Sequence, residues 1–193
     1  MNIKHSKEDI IKTGMNLFRL KGYHHTGTKE IIGEAGISRG SFYNFFKDKD
    51  DFGVQVLDYY TKWTSDYLEE LLSDTDKSPM QRIIHLFTEF VNTYKEVNYK
   101  WGCLLVGMTQ ELAGINEVFT KASRKNFETL IDPLSDCIEE GQKKGEILNL
   151  WTPRQLAMNV LAGYNGSLIL MKSGLNSEPL DAFLAQLEHS LKS

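Results

Sequence analysis

The sequence predicts an all-α protein of about nine helices, because its apolar residues recur at steps of three and four along most of the 193-residue chain. Two further observations carry the same reading. No sustained alternation of apolar and polar residues marks a strand. Helix-start chemistry also repeats: Ser78-Pro79-Met80-Gln81 and Thr152-Pro153-Arg154-Gln155 each set a hydroxyl at the N-cap, a proline at the first helical position and a glutamine able to reach back.

Taken in order, Ile10, Gly14, Leu17, Phe18 and Lys21 share one face of a first helix, opened by Ser6 with Asp9 three residues on and closed by Gly22. A second helix begins at Thr28 and a third at Ser38, so three helices fit within the first 47 residues. A longer fourth helix carries the stripe Phe52, Val56, Tyr59, Tyr60, Trp63, Tyr67 and Leu71 and ends at the polar break 73–78. Helices near 79–96, 102–113 and 116–144 follow, the last kinked at Pro133 and stopped by Gly145 after Lys143 and Lys144. The final two run over 153–172 and 178–191, with Gly174 in the connecting loop. The organisation expected is an N-terminal three-helix domain, 1–50, and a larger helical bundle, 51–193.

At 41% apolar residues the chain can fill a sizeable core. Its net charge of −4 conceals an asymmetry: residues 1–50 carry nine Lys and Arg against six Asp and Glu, a balance of +3, and the remainder carries −7. Positive charge is therefore local to the first three helices, where it can act on a polyanion. Residues 1–9 are polar and offer no secretion signal. The long uncharged stretch 156–171 contains Asn159, Asn165 and Ser167 and falls short of the roughly 20 apolar residues a bilayer needs. A cytoplasmic protein without a membrane partner is expected. Cys103 and Cys137 are the only cysteines, too few for a disulfide scaffold or a four-cysteine zinc site. The five histidines, His5, His24, His25, His85 and His189, form no ligand set with them, so no metal or other cofactor is implied.

Residues 28–50 read as two short helices joined by a tight turn, the second with polar side chains outward, which is the format of a DNA reader. Gly36 supplies a positive φ, Ile37 fills the angle between the helices and Ser38 caps the second. Phe18, Gly22-Tyr23, Thr26, Thr28, Ile31, Ala35-Gly36-Ile37-Ser38, Gly40-Ser41-Phe42-Tyr43, Phe46 and Lys49 follow one another in an order and spacing that resemble the DNA-binding domain of the TetR family of transcriptional regulators over residues 6–52. Ile32, where the family often has alanine, and Gly33, which weakens the second helix by up to ~1 kcal/mol, depart from its pattern. In a major groove Arg39 can bond guanine O6 and N7, Asn44 can pair with adenine and Ser41 can bond either, while Gly40 permits close approach. The resemblance implies phosphate anchoring by Thr28, Tyr43 and Lys49, with Ser38 at the helix start also at the DNA. His24, His25 and Lys47 are either further contacts or solvated surface groups.

One reader covers few base pairs, so a homodimer on a pseudo-palindromic double-stranded operator is expected. Leu156, Val160, Gly163, Ser167, Leu168 and Met171, with Leu180, Phe183, Leu184, Leu187 and Leu191, offer apolar faces for a two-fold four-helix contact or for the protomer's own core. Ala157, Ala162, Gly163, Gly166 and Ser167 would allow close helix approach.

The aromatic-rich middle, including Trp63, Tyr67, Phe90, Tyr94, Trp101, Met108 and Tyr164, either lines a pocket for a small-molecule effector or packs as solid core. From about Trp101 the chain resembles a subgroup with Gly-Cys-Leu at the start of its sixth helix, here Gly102-Cys103-Leu104, some of whose members look like sensors of electrophilic or reactive small molecules. Cys103 at a helix N-terminus, with Lys100 close in sequence, is either a thiol of lowered pKa or a small buried apolar residue. The subgroup's arrangement implies that Lys172 approaches it. Cys137, among Asp136, Glu139 and Glu140, is less suited to reaction. The function expected is a transcriptional regulator, a repressor released by a ligand or by modification of Cys103, and not an enzyme. A ligand-independent DNA-organising protein is the alternative, since a solid core and a pocketed one share a sequence pattern. A thiol enzyme pairing Cys103 with His85 has no acid, oxyanion loop or phosphate-binding glycine motif behind it.

Overall fold

The computed structural model describes residues 6–192, so His5 lies outside it. Among the described residues nine α-helices and no strand follow one another: α1 (Lys7–Lys21), α2 (Thr28–Glu34), α3 (Arg39–Phe45), α4 (Lys49–Leu72), α5 (Pro79–Glu96), α6 (Leu104–Leu112), α7 (Glu117–Lys143), α8 (Pro153–Gly174) and α9 (Glu178–Lys192). No helix among them is long and apolar enough to cross a membrane.

Local chemistry explains where these helices start. Ser6, Ser78 and Thr152 each accept the backbone N–H of the residue three ahead, and Asp9, Gln81 and Gln155 return a bond to the cap's own N–H. Three capping boxes thus satisfy N–H groups that the first turn leaves without partners. At the start of α4, Asp48 accepts the Asp51 N–H at 2.8 Å and Asp51 accepts the Lys47 N–H at 2.9 Å.

Two expectations need correction. Gly174 is not in the α8–α9 loop; it is the last residue of α8, and Leu175 takes the left-handed position after it, at φ 50°. In α4 the predicted stripe holds at Phe52, Val56 and Tyr60, which are buried, but not at Tyr59, Trp63, Tyr67 and Leu71. Leu57, Thr61, Ser65, Leu68 and Leu72 are buried instead, and Trp63 is 55% exposed. A stripe read by aromatic content followed the wider rings; Thr61 and Ser65 hid the true inner face because their side chains are polar. α7 continues through Pro133.

The chain forms two compact units. One comprises residues 6–62 with Cys103–Phe127, the other Trp63–Gly102 with 128–192. The first is filled by Ile10, Phe18, Ile31, Phe42, Phe46, Phe52, Leu57, Leu105 and Phe119. The second is filled by Leu68, Ile83, Leu86, Phe87, Leu134, Ile138, Leu168, Met171 and Leu180. In it, buried Arg82 donates through Nη1 to the Leu72 carbonyl at 2.7 Å and through Nη2 to Glu140, tying the last carbonyls of α4 to α5 and α7. In the connection from α7 to α8, Gln142 Nε2 donates to the carbonyls of Leu148 and Trp151, at 2.8 and 2.9 Å, and the Leu148 N–H donates to the Leu191 carbonyl at 2.8 Å. Leu150 and Trp151 stay exposed on that connection.

The faces expected to pair two protomers are partly used within the protomer. Leu156, Ala157, Val160, Leu168 and Met171 of α8 and Leu180, Leu187 and Leu191 of α9 are buried within the protomer. Outward lie Met158, Ala162, Gly163, Gly166, Ile169 and Leu170. An open groove of about 470 Å³, lined among others by Trp151, Gly163, Ser167, Leu170 and Phe183, runs between the two helices.

Candidate nucleic-acid interface

α2 and α3 are joined by a turn whose bonds are local. Gly36 sits at φ 62°, a conformation that favours glycine. The Ile37 N–H donates to the Ile32 carbonyl at 3.2 Å, and Ile37 is half-buried between the helices. Ser38 Oγ accepts the Ser41 N–H at 3.0 Å and lies 2.9 Å from the Ser41 hydroxyl, so the two hydroxyls support one another at the helix start. Beneath α3 the rings of Phe42, Phe46 and Phe52 meet at centroid distances of 4.8 to 5.3 Å, with Phe18 5.9 Å from Phe52. Such offset and edge-on contacts fix a seven-residue helix too short to be stable alone.

On the outer side Arg39, Gly40, Tyr43 and Asn44 are all exposed. The Arg39 guanidinium lies 5.6 Å from the Tyr43 ring centroid, and Tyr43 stands edge-on to Phe42. A Cβ built on Gly40 would meet only Ser38 Oγ, at 3.8 Å, so the surface there is open to a close neighbour. Thr28 is the half-buried first residue of α2, after Gly27, which makes no side-chain cap. Lys49 is directed inward: Nζ donates to the Tyr23 carbonyl at 2.7 Å and lies 4.0 Å from the Tyr23 ring centroid. That bond occupies one of its three N–H donors. Burial pulls its pKa below the ordinary lysine value, against the attraction of Asp50 and Glu111. His24, His25 and Lys47 are exposed.

Sequence reasoning missed what steadies the loop between α1 and α2. Glu111, at the end of α6, accepts the N–H groups of Tyr23 and His24 at 3.1 and 3.0 Å. Tyr23 donates its hydroxyl to Asp50, whose other oxygen accepts Asn116 Nδ2 at 2.8 Å, and its ring lies 5.1 Å from Phe119. These partners are far apart in sequence, so no local motif announces them.

Cys103 is the N-cap of α6, and the Tyr60 hydroxyl donates to its Sγ at 3.7 Å. The Arg19 guanidinium in turn lies 5.0 Å from the Tyr60 ring centroid. Burial raises the thiol pKa; the backbone N–H groups of Val106 and Leu105, the Tyr60 hydroxyl and Arg19 act the other way without reversing it. Of the two readings left open by the sequence, the lowered pKa is the one this direction opposes, because desolvation of the thiolate outweighs the N–H groups of the helix end. Cys137 is pushed up to about 11, chiefly by burial, and donates to the Pro79 carbonyl.

Of the other sensor candidates, Tyr67, Phe90 and Tyr164 are brought together. Tyr67 is 6.0 Å from Phe90, Phe90 stacks on Tyr164 at 5.8 Å, and Phe87 and Phe183 complete the cluster. Tyr94 and Trp101 are half-buried, Met108 is buried and Trp63 is exposed. Lys172 is exposed, its Cδ 3.7 Å from where a Gly102 Cβ would stand.

A family model described as bacterial regulatory proteins, tetR family, matches residues 10–54. A second, the tetracyclin repressor-like C-terminal domain, matches residues 79–187. The HTH-type transcriptional repressor DhaR of Mycobacterium sp. (strain GP1) is 30% identical over 185 residues, 96% of this chain and 91% of DhaR. The HTH-type transcriptional repressor NemR of Escherichia coli (strain K12) is 27% identical over 184 residues, 95% of this chain and 92% of NemR. Among solved structures, a regulatory protein TetR from Rhodobacter sphaeroides superposes with a TM-score of 0.88 at 25% identity, covering 95% of this chain and 97% of that one. The reduced form of Escherichia coli NemR gives 0.86 at 26% identity, covering 96% and 97%.

Proposed function

Since the chain belongs to the TetR family of transcriptional regulators, we propose that it is a cytoplasmic homodimeric repressor that leaves a pseudo-palindromic operator when an effector or a thiol reaction shifts its conformation. The observation that carries this is the exposed polar face of α3, set on a rigid aromatic layer. Residues 1–50 act as the reader and 51–193 as the effector-binding and dimerising part. Arg39 and Asn44 read base edges, Ser38, Gly40 and Ser41 bring the helix start against the groove, and Thr28, Tyr43 and Lys49 hold phosphates. Lys49 does so with the donors left over from Tyr23. The relatives named as repressors, DhaR and NemR, support repression over activation. The outward small and apolar residues of α8 pair with a second copy.

Tyr67, Phe90, Tyr94, Trp101 and Tyr164, with Trp63 and Met108, are the proposed surroundings of an apolar small-molecule effector. Cys103 is the proposed thiol sensor, and Lys172 is proposed as an effector-responsive residue in its own right. The raised pKa of Cys103 makes reaction slow in the resting state and dependent on strong electrophiles or oxidants. An effector must favour the DNA-incompetent form by ~1 to 3 kcal/mol or more, because equal affinity for both forms shifts nothing.

Selection of bound duplexes from random-sequence DNA tests the reader. Arg39→Ala is expected to change the selected sequence, at ~1 to 3 kcal/mol per lost base contact. Lys49→Ala is expected to weaken all duplexes and lower the salt dependence. Equal losses on selected and scrambled duplexes for both variants would refute the division of roles. Cys103→Ser should abolish release by electrophiles; unchanged release leaves a non-covalent pocket, and no release by any compound favours a ligand-independent DNA-organising role.

A further inference from the structure

Resting on the reading of α2 and α3 as a DNA reader, we propose that Glu111 is a positioning residue for operator binding, a carboxylate on α6 that sets the α1–α2 connection and through it the placement of α2. The connection is short, and local bonds fold it back on itself. The Thr26 hydroxyl donates to the Gly22 carbonyl at 2.8 Å, and the Thr26 N–H and Lys49 Nζ both donate to the Tyr23 carbonyl. The two N–H groups that turn away from these bonds, those of Tyr23 and His24, are the ones Glu111 accepts, one on each carboxylate oxygen. Adjacent N–H groups aimed at one carboxylate make a two-point clamp, stronger and more directional than a neutral pair.

The clamp is built for close approach. Gly22 lies at φ 80°, and a Cβ there would stand 2.6 Å from Glu111 Oε1. Its α1 N–H still caps the helix by donating to the Phe18 carbonyl at 2.9 Å. Four residues after Tyr23 the chain reaches Gly27, the N-cap of α2, which has no side-chain bond of its own. The start of α2, where Thr28 sits, thus takes its position from the connection before it. Glu111 faces no nucleic-acid contact in this scheme, and its charge has the wrong sign for one. α6 carries Cys103 at its other end, so a displacement of this helix reaches the reader through the same two bonds.

Charge gives the test its sign. Removing a carboxylate from a DNA-binding unit raises affinity for every duplex on electrostatic grounds alone. Loss of a positioning contact lowers affinity for the selected duplex only. Glu111→Gln and Glu111→Ala carry the same charge, but the amide offers one acceptor oxygen and can hold one of the two N–H groups. The measurement is equilibrium binding of full-length protein to the duplex selected by the wild type and to a scrambled duplex, below the melting temperature of every variant. Expected affinity for the selected duplex falls from wild type to Glu111→Gln to Glu111→Ala, roughly tenfold overall for two charge-assisted bonds, while the scrambled duplex binds no more weakly than before. Equal binding by the two variants, or binding of the selected duplex as tight as wild type, overturns the proposal. If Glu111→Ala does not fold, the sign for Glu111→Gln against wild type decides. A wild type without preference for any duplex removes the reader itself, a failure distinct from a wild type that selects and a variant that selects equally well.

Discussion

α3 and α8 both present a row of exposed side chains from a helix whose other side is buried, yet the two rows are chemically opposite. α3 shows Arg39, Tyr43 and Asn44; α8 shows Met158, Ile169 and Leu170 between small residues. Burial of the inner side follows the same rule in each, with Phe42 under α3 and Leu168 and Met171 under α8. The outer side is free of that rule, so its composition reports the partner. A polar, cationic row suits a hydrated polyanion, and an apolar row with small residues suits a second helix.

Three measurements test this contrast and the packing behind it. The largest effect is expected from Phe42→Ala, which empties the fully buried centre of the layer under α3. It should lower stability by ~3 to 5 kcal/mol in urea unfolding and abolish sequence preference although no DNA-facing group is changed. A stable variant that still selects the same duplex would mean that the polar row does not depend on its support. Next, Ile169→Asp combined with Leu170→Asp places charges on the apolar row. The particle mass should halve, and operator affinity should fall by roughly a hundredfold as the linked second half-site is lost. A double variant that remains dimeric would assign the outward face of α8 to another role.

The smallest effect concerns the interior of the second unit. Burial pushes the Cys137 thiol up to about 11, whereas an unfolded thiol ionises near ~8.5. Between those values the folded chain keeps a proton that the unfolded chain releases, so stability falls as pH rises, by up to about 3 kcal/mol. It is fully retained below the lower value. Cys137→Ala should flatten the decline between about pH 8 and about pH 10, read as the change in urea midpoint. An unchanged slope would place the titration elsewhere.

Local signals were legible in the chain and distant ones were not. Ser78 with Gln81, and Thr152 with Gln155, announced two helix starts within the span of a single turn, and Gly36 announced the bend between α2 and α3. The all-helical fold followed from such signals, and the family from a resemblance spread over many positions. Glu111 gave no sign, because an acid on one helix gains meaning only when a loop nearly ninety residues earlier in the sequence turns two N–H groups toward it. The inner face of α4 was misread for a related reason: Thr61 and Ser65 are buried by tertiary packing that a hydropathy pattern does not register. For Cys103 the position at a helix start was read correctly. The sign of its pKa shift was left open between a helix-end thiolate and a buried thiol, since the extent of burial is a property of the folded state.

Gln142 leaves one more consequence. With its amide holding two carbonyls of the connection that carries Trp151, that indole is presented on a braced backbone and already borders the groove between α8 and α9. In the proposed dimer, a backbone already held before encounter has less freedom left to lose when the second copy covers it, and that smaller ordering entropy favours long-lived association. Severing the brace would leave every apolar atom in place and still hasten the parting of the two protomers.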